Sequence, residues 1–215
     1  MSVEVKICGL STPETVDAAV AAGADMIGLV FFPKSPRNVT LEQAASLAAR
    51  ARGKCKIVTL VVDASDAELQ TIVAKVDPDL IQAHGSENPE RVAEIGRLTG
   101  KPVIKAIRVK DEADIASAAQ FSRVADLILY DAKAPETLGS SLPGGNGHAF
   151  DWGLLEGNKR PAFMLAGGLT PENVGEAIRV TGAPVVDVSS GVETAPGIKD
   201  IGLIRKFIEA AKHPR

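Results

Sequence analysis

The chain has 215 residues, 45% of them hydrophobic, and a formal net charge of −3 from 24 Lys and Arg against 27 Asp and Glu. This length and apolar share suit one α/β domain, 1–215, with a sizeable core. The near balance of charge, without a Lys/Arg cluster, argues against a nucleic-acid partner. The opening Met1-Ser2-Val3-Glu4-Val5-Lys6 lacks the apolar core of a signal peptide, and runs such as 26–32 are too short to cross a bilayer, so a cytoplasmic protein without a membrane partner is expected. Cys8 and Cys55 lie in separate elements and form no disulfide framework or metal-ligand pattern.

Strand-like and helix-like runs alternate along the whole chain. The spacing predicts strands at 3–8, 26–31, 56–62, 80–83, 103–107, 126–130, 162–165 and 185–187, and helices at 13–22, 41–51, 66–75, 89–99, 112–121, 171–181 and about 200–212. Helix starts are marked by Ser11-Thr12-Pro13-Glu14, by Thr40 and Ser65, and by Thr170-Pro171-Glu172. Gly23, Gly53, Gly100 and Gly182 close helices. Eight strands, each leading to the next, predict a single-domain (β/α)8 or TIM barrel; local periodicity leaves an open doubly wound sheet as the alternative. One step is irregular. Between Asp131 and Phe150 there is no helical period, only a glycine-rich run including Gly144-Gly145-Asn146-Gly147, which reads as a mobile cover near a site or a tolerated insertion.

Two consecutive strand ends carry glycine and serine. Phe163-Met164-Leu165-Ala166 ends in Gly167-Gly168, and Val185-Val186-Asp187-Val188 ends in Ser189-Ser190-Gly191. Taken singly these are ordinary turns whose glycines permit positive φ; paired after the last two strands of a barrel they read as a phosphate cradle, because glycine lets backbone N–H groups approach an anion and a helix N-terminus adds a favourable dipole. A phosphorylated small molecule is therefore the expected partner.

Strand parity selects further candidates. Val3, Val5 and Ile7 share the face that packs on helices, so Glu4, Lys6 and Cys8 point into the barrel, with Cys8 at the rim where barrels do chemistry. Such a thiol is either a small buried hydrophobe or, if its thiolate is stabilised, a base or nucleophile. Asp131 ends strand six, where a partly desolvated carboxyl suits a general acid, a helix cap or a loop salt bridge. Gln82 and His84 share a face of strand four, and Asp187 projects beside the cradle. In the loop Phe32-Pro33-Lys34-Ser35-Pro36-Arg37, the prolines are expected to hold Arg37 for a two-point grip on a carboxylate, the alternative being a solvated surface Arg. Lys105 and Lys133 keep open a Schiff-base aldolase. Cys55 has no supporting context and reads as structural.

Taken together, Lys6-Ile7-Cys8-Gly9-Leu10, Ser35-Pro36-Arg37, Gln82-Ala83-His84-Gly85, Asp131, Gly147-His148-Ala149-Phe150-Asp151-Trp152, Leu165-Ala166-Gly167-Gly168-Leu169 and Asp187-Val188-Ser189-Ser190-Gly191-Val192-Glu193 resemble the phosphoribosylanthranilate isomerase family. The resemblance implies a (β/α)8 barrel of tryptophan biosynthesis that needs no cofactor and no metal and catalyses an Amadori rearrangement. It also implies Cys8 as general base, Asp131 as general acid, Arg37 on the anthranilate carboxylate, and the Gly167-Gly168 and Ser189-Ser190-Gly191 turns on phosphate. Ala83 departs from the usual Leu and Asn146 from the usual Ser or Thr; parity turns Ala83 toward the helices, which predicts a change of packing. A monomer and a homodimer are both compatible with these patterns. A histidine-pathway isomerase and a non-catalytic phosphate-ligand sensor remain the other readings, the sensor weakened by having no use for Cys8 and Asp131.

Overall fold

The computed structural model describes residues 3–132, 150–156 and 162–214. Eight parallel strands form a closed barrel: β1 Glu4–Cys8, β2 Met26–Phe31, β3 Lys56–Val61, β4 Leu80–Ala83, β5 Val103–Val109, β6 Leu127–Ala132, β7 Phe163–Leu165 and β8 Val185–Val188. Closure is made by β1 and β8, with Lys6 opposite Asp187 and Ile7 opposite Val188. The open-sheet alternative is thereby excluded.

The helices are α1 Pro13–Ala21, α2 Leu41–Ala51, α3 Asp66–Val76, α4 Pro89–Thr99, α5 Glu112–Ser117, α6 Val174–Thr181 and α7 Ile201–Lys212. Their starts follow the local chemistry. Thr12 accepts from the Thr15 N–H with Pro13 in the first turn, and Thr40 and Ser65 each form a reciprocal capping box, with Gln43 and Glu68 respectively. Gly100 and Gly182 take the left-handed conformation that ends α4 and α6.

Two helical expectations are corrected. The run 112–121 is α for six residues and then tightens into a 3-10 turn, Ala118–Phe121. The helix expected from 171 begins at Val174, because the Thr170 hydroxyl accepts from the Glu172 N–H and Asn173 Oδ1 accepts from the Thr170 N–H, which makes 170–173 a turn of its own. The Gly167-Gly168 turn is consequently several residues from the α6 N-terminus. Of the residues between Asp131 and Phe150 expected to form a mobile cover, Ala132 ends β6 and the rest, Lys133, Asn146 and His148 among them, lie outside the described residues.

Two apolar layers enclose the sheet. The outer one, between strands and helices, includes Val5, Ile7, Leu29, Ile81 and Ala83, so Ala83 is a packing residue. The inner one fills the barrel with Met26, Val58, Ile104, Ala106, Leu129, Met164, Ala166 and Val185, capped toward the strand C-termini by Cys8, Val30 and Leu60. The filled interior leaves room for a site above the strand C-termini, which is where barrel sites form. After β8 the chain makes a 3-10 turn, Ser190–Val192, and a short antiparallel hairpin, β9 Glu193–Ala195 and β10 Ile198–Lys199, which the sequence pattern did not announce.

Candidate active site

Above the inner layer a cavity of about 740 Å³, counting the part open to solvent, is lined by Cys8, Arg37, His84, Asp131, Asp187, Gly167, Gly168, Ser189, Ser190 and Gly191 together with Val30, Phe32, Leu60 and other apolar residues. Ten of the eleven candidate site residues thus meet in one place, drawn from five strand ends and the loop after β2. The eleventh, Gln82, is fully buried one layer below; its amide meets His84 Nδ1 at 2.8 Å, so its influence on the cavity runs through the imidazole.

Cys8 is 4% exposed and stands beside Gly28, the residue opposite it on β2. Any Cβ at Gly28 would lie 2.8 Å from the thiol sulfur, so glycine there makes room for it. Burial pushes the Cys8 thiol above its ordinary pKa, and Asp187 pushes the same way; Lys6 and Lys199 pull it down. Lys6 is fully buried and donates to Asp187 Oδ1 at 2.9 Å. Burial disfavours its charge, but attraction to Asp187 and to Cys8 outweighs this and raises its pKa.

Across the mouth, His84 Nε2 lies 3.2 Å from Asp131 Oδ2. Gln82, His84 and Asp131 therefore form a buried chain in which one ring nitrogen faces an amide and the other a carboxyl. With Gln82 Nε2 donating to Nδ1, the neutral ring carries its proton on Nε2 and donates to Asp131. Gln82 Oε1 then has no hydrogen-bond partner among the described residues.

Arg37 is oriented by Glu193, the last residue of the motif 187–193, to which the sequence assigned no role of its own. Its Nε and Nη2 donate to the two oxygens of Glu193 at 2.7 and 2.8 Å, so a carboxylate, more than the flanking prolines, sets the guanidinium plane. Glu193 also accepts from Lys199 Nζ at 2.7 Å, and Lys199 donates to the Ser189 carbonyl oxygen at 2.9 Å. Burial pushes the Glu193 carboxyl up, but its bonds to Arg37 and Lys199 prevail and hold it below the usual carboxylate range. Burial lowers the Lys199 pKa despite Glu193. One anion thus links the Arg37 loop to the Ser189 turn. No spacing signal marks Glu193 or Lys199, because the hairpin that folds them back is defined only in three dimensions.

The two glycine-bearing turns are in contact: a Cβ at Gly191 would lie 1.9 Å from the Leu169 carbonyl oxygen. Lys105, weighed as a Schiff-base lysine, points the other way. It faces outward from β5, donating to Glu87 at 2.7 Å and to the Gly85 carbonyl oxygen at 2.9 Å, because residue 105 has the opposite parity to the cavity side. Cys55 is free and half-buried, its thiol pushed up to about 11 mainly by burial. Among the described residues no cluster of three or more His, Cys, Asp or Glu is arranged to hold a metal, and no helix is long and apolar enough to cross a membrane.

Comparison with known proteins gives the same direction as the geometry. Residues 5–210 match the family model for N-(5'-phosphoribosyl)anthranilate (PRA) isomerase. The N-(5'-phosphoribosyl)anthranilate isomerase of Rhodopseudomonas palustris (strain BisA53) is 55% identical over 213 residues, covering 99% of this chain and 97% of that protein. The phosphoribosyl anthranilate isomerase from Thermotoga maritima superposes with a TM-score of 0.87 at 35% identity over 98% of both chains. A phosphoribosyl anthranilate isomerase in complex with reduced 1-(o-carboxyphenylamino)-1-deoxyribulose 5-phosphate superposes with a TM-score of 0.84 at 34% identity, again over 98% of each. With a full-length family match, close relatives and the same closed barrel, this chain belongs to the phosphoribosylanthranilate isomerase family of enzymes.

Proposed function

We propose that the cavity converts N-(5-phosphoribosyl)anthranilate to 1-(2-carboxyphenylamino)-1-deoxyribulose 5-phosphate, with Cys8 as general base and Asp131 as general acid. The observation that carries this reading is that both groups line one cavity, flanked by the paired Gly/Ser turns on one side and Arg37 on another. Asp131 gives its proton to the furanose ring oxygen as the C1′–O bond breaks, and the anthranilate nitrogen lone pair forms the iminium. The Cys8 thiolate then takes the C2′ proton. The electrons of that C–H bond form the C1′–C2′ double bond of an enolamine, which tautomerises to the ketone. The cationic iminium acidifies C2′, so a thiolate is a sufficient base.

The backbone of the Gly167-Gly168 and Ser189-Ser190-Gly191 turns holds the phosphate, and Arg37 the anthranilate carboxylate. Asp187 and His84 contact the sugar between these anchors. Fixing the substrate at both ends aligns C2′ with the sulfur, and that orientation supplies much of the remaining rate. The Gln82–His84–Asp131 chain suits either protonation state of the acid. With the ring proton on Nε2 the imidazole donates to ionised Asp131; in the other tautomer, with the proton on Nδ1, a turned Gln82 amide accepts from Nδ1–H through Oε1 and Nε2 accepts from protonated Asp131.

Turnover of N-(5-phosphoribosyl)anthranilate by the purified protein tests the reaction. Cys8→Ala and Asp131→Asn are each expected to lower kcat by about 10²–10⁴-fold with the fold retained; near-normal turnover in either variant removes that residue from its role. Arg37→Ala is expected to raise KM, and an unchanged KM counts against carboxylate capture.

A further inference from the structure

Among the described residues, the interior of the barrel is apolar except for Gln82 beneath His84 and one ion pair, Lys6 with Asp187, buried beneath Cys8. Lys6 and Cys8 are two apart on β1 and so share the inward face, while Asp187 is the register partner of Lys6 on β8. A pair of this kind is a weak structural device: the cost of desolvating both charges is comparable to their attraction, and apolar side chains of similar volume serve a core as well or better. Met26 and Val58 already fill the barrel in that way. The position of the ammonium has a chemical use instead. An ammonium carries three N–H donors. One of Lys6's is given to Asp187 Oδ1, and the Cys8 sulfur is the other group that attracts it.

We infer that Lys6 is a positioning residue for the reaction, a buried cation that draws the Cys8 sulfur toward its thiolate against the effect of burial, and that Asp187 opposes it and so meters the charge available to the sulfur. This inference rests on the reading of Cys8 as base. A thiol this deeply buried favours its neutral form, and a neutral thiol removes no proton from carbon. The groups facing the sulfur are Lys6 from β1, Asp187 from β8 and Lys199 from β10, with Arg37, His84 and Asp131 around the same cavity. Lys6 acts most strongly among the cations on Cys8, whereas Lys199 is also committed to Glu193 and Ser189.

The test reads the sulfur directly. The pH dependence of Cys8 alkylation by iodoacetamide is followed on the full chain without substrate, with peptide-level mass spectrometry separating Cys8 from Cys55. Lys6→Gln is expected to move the profile to higher pH and to slow alkylation at neutral pH roughly tenfold, because the thiolate fraction falls. Asp187→Asn is expected to move it to lower pH, and Lys6→Arg to restore the wild-type profile in large part. A merely structural role moves the two opposing variants alike or not at all, and either outcome overturns the inference. Should Lys6→Gln fail to fold, Asp187→Asn decides alone: a profile that stays in place or rises overturns it. Turnover of Cys8→Ala answers the separate question of whether Cys8 is the base, so the two failures are distinguishable.

Discussion

The sulfur of Cys8 is positioned as much by what is missing beside it as by what is present. Gly28 lies opposite on β2, and a Cβ there would come within 2.8 Å of the sulfur and 3.0 Å of the Cys8 Cα, backbone that cannot swing aside. Gly28→Ala is therefore expected to displace the thiol without touching either anchor. Since misplacement by about 1 Å can cost on the order of 10²-fold in rate, kcat should fall by that order while KM changes little, as steady-state kinetics would show. A second residue-scale case is Gln82. Replacing it by Met keeps the volume but removes the partner that fixes the imidazole, leaving His84 Nδ1 without its amide. The expected result is a lower kcat and an altered alkaline limb of the pH–rate profile, checked against the wild-type profile.

Among elements, the β9–β10 hairpin matters most, because its residues reach back to the β2–α2 loop. Glu193 binds Arg37 through both oxygens and Lys199 through one, with side chains 1–7% exposed throughout. Glu193→Gln removes the only anion of this triad and leaves two buried cations near each other. Breaking a buried ionic group in this way costs about 3–5 kcal/mol, measurable by urea unfolding. KM should rise at the same time because the guanidinium loses its orientation. The hairpin also explains why Arg37 was legible as a candidate while its support was not. Arg37 stands in a short, proline-bounded loop, whereas its partner lies 156 residues away and is brought to it only when the barrel closes.

For the molecule as a whole, the buried carboxylates set the response to acid. Burial raises the Glu87 carboxyl, but Lys105 and the Asp63 and Glu87 backbone N–H groups outweigh it and hold the pKa below its ordinary value. Glu193 behaves likewise. A folded-state pKa below the unfolded one contributes stability that is fully present above the unfolded carboxylate value of about 4.3 and is lost as pH falls through the lower folded values. Unfolding free energy is thus expected to be flat near neutrality with respect to these two groups and to fall steeply below about pH 4. In Glu87→Gln part of that slope should disappear, and stability near neutrality should drop by about 3–5 kcal/mol, since Lys105 remains buried without its carboxylate. Denaturant titrations across pH check both statements.

The parts of this protein determined by sequence alone are those with a local cause. Alternation on each strand decided which side chains face inward, and capping chemistry decided where most helices begin; together with the rule that barrel chemistry sits at strand ends, this was enough to bring Cys8, Asp131, His84 and the two Gly/Ser turns forward as candidates. The helix after Gly167-Gly168 was misplaced because Thr170 and Asn173 bind their own backbone in a turn that resembles a cap. Tertiary structure alone decided the rest. Closure of β1 on β8 joins residues 181 apart, which turns an inward lysine into the ion-pair partner of Asp187 under the thiol, and the folded-back hairpin turns Glu193 into the holder of Arg37. Periodicity is a property of neighbours along the chain, whereas charge pairing in a low-dielectric interior depends on distances that exist only after the barrel has closed.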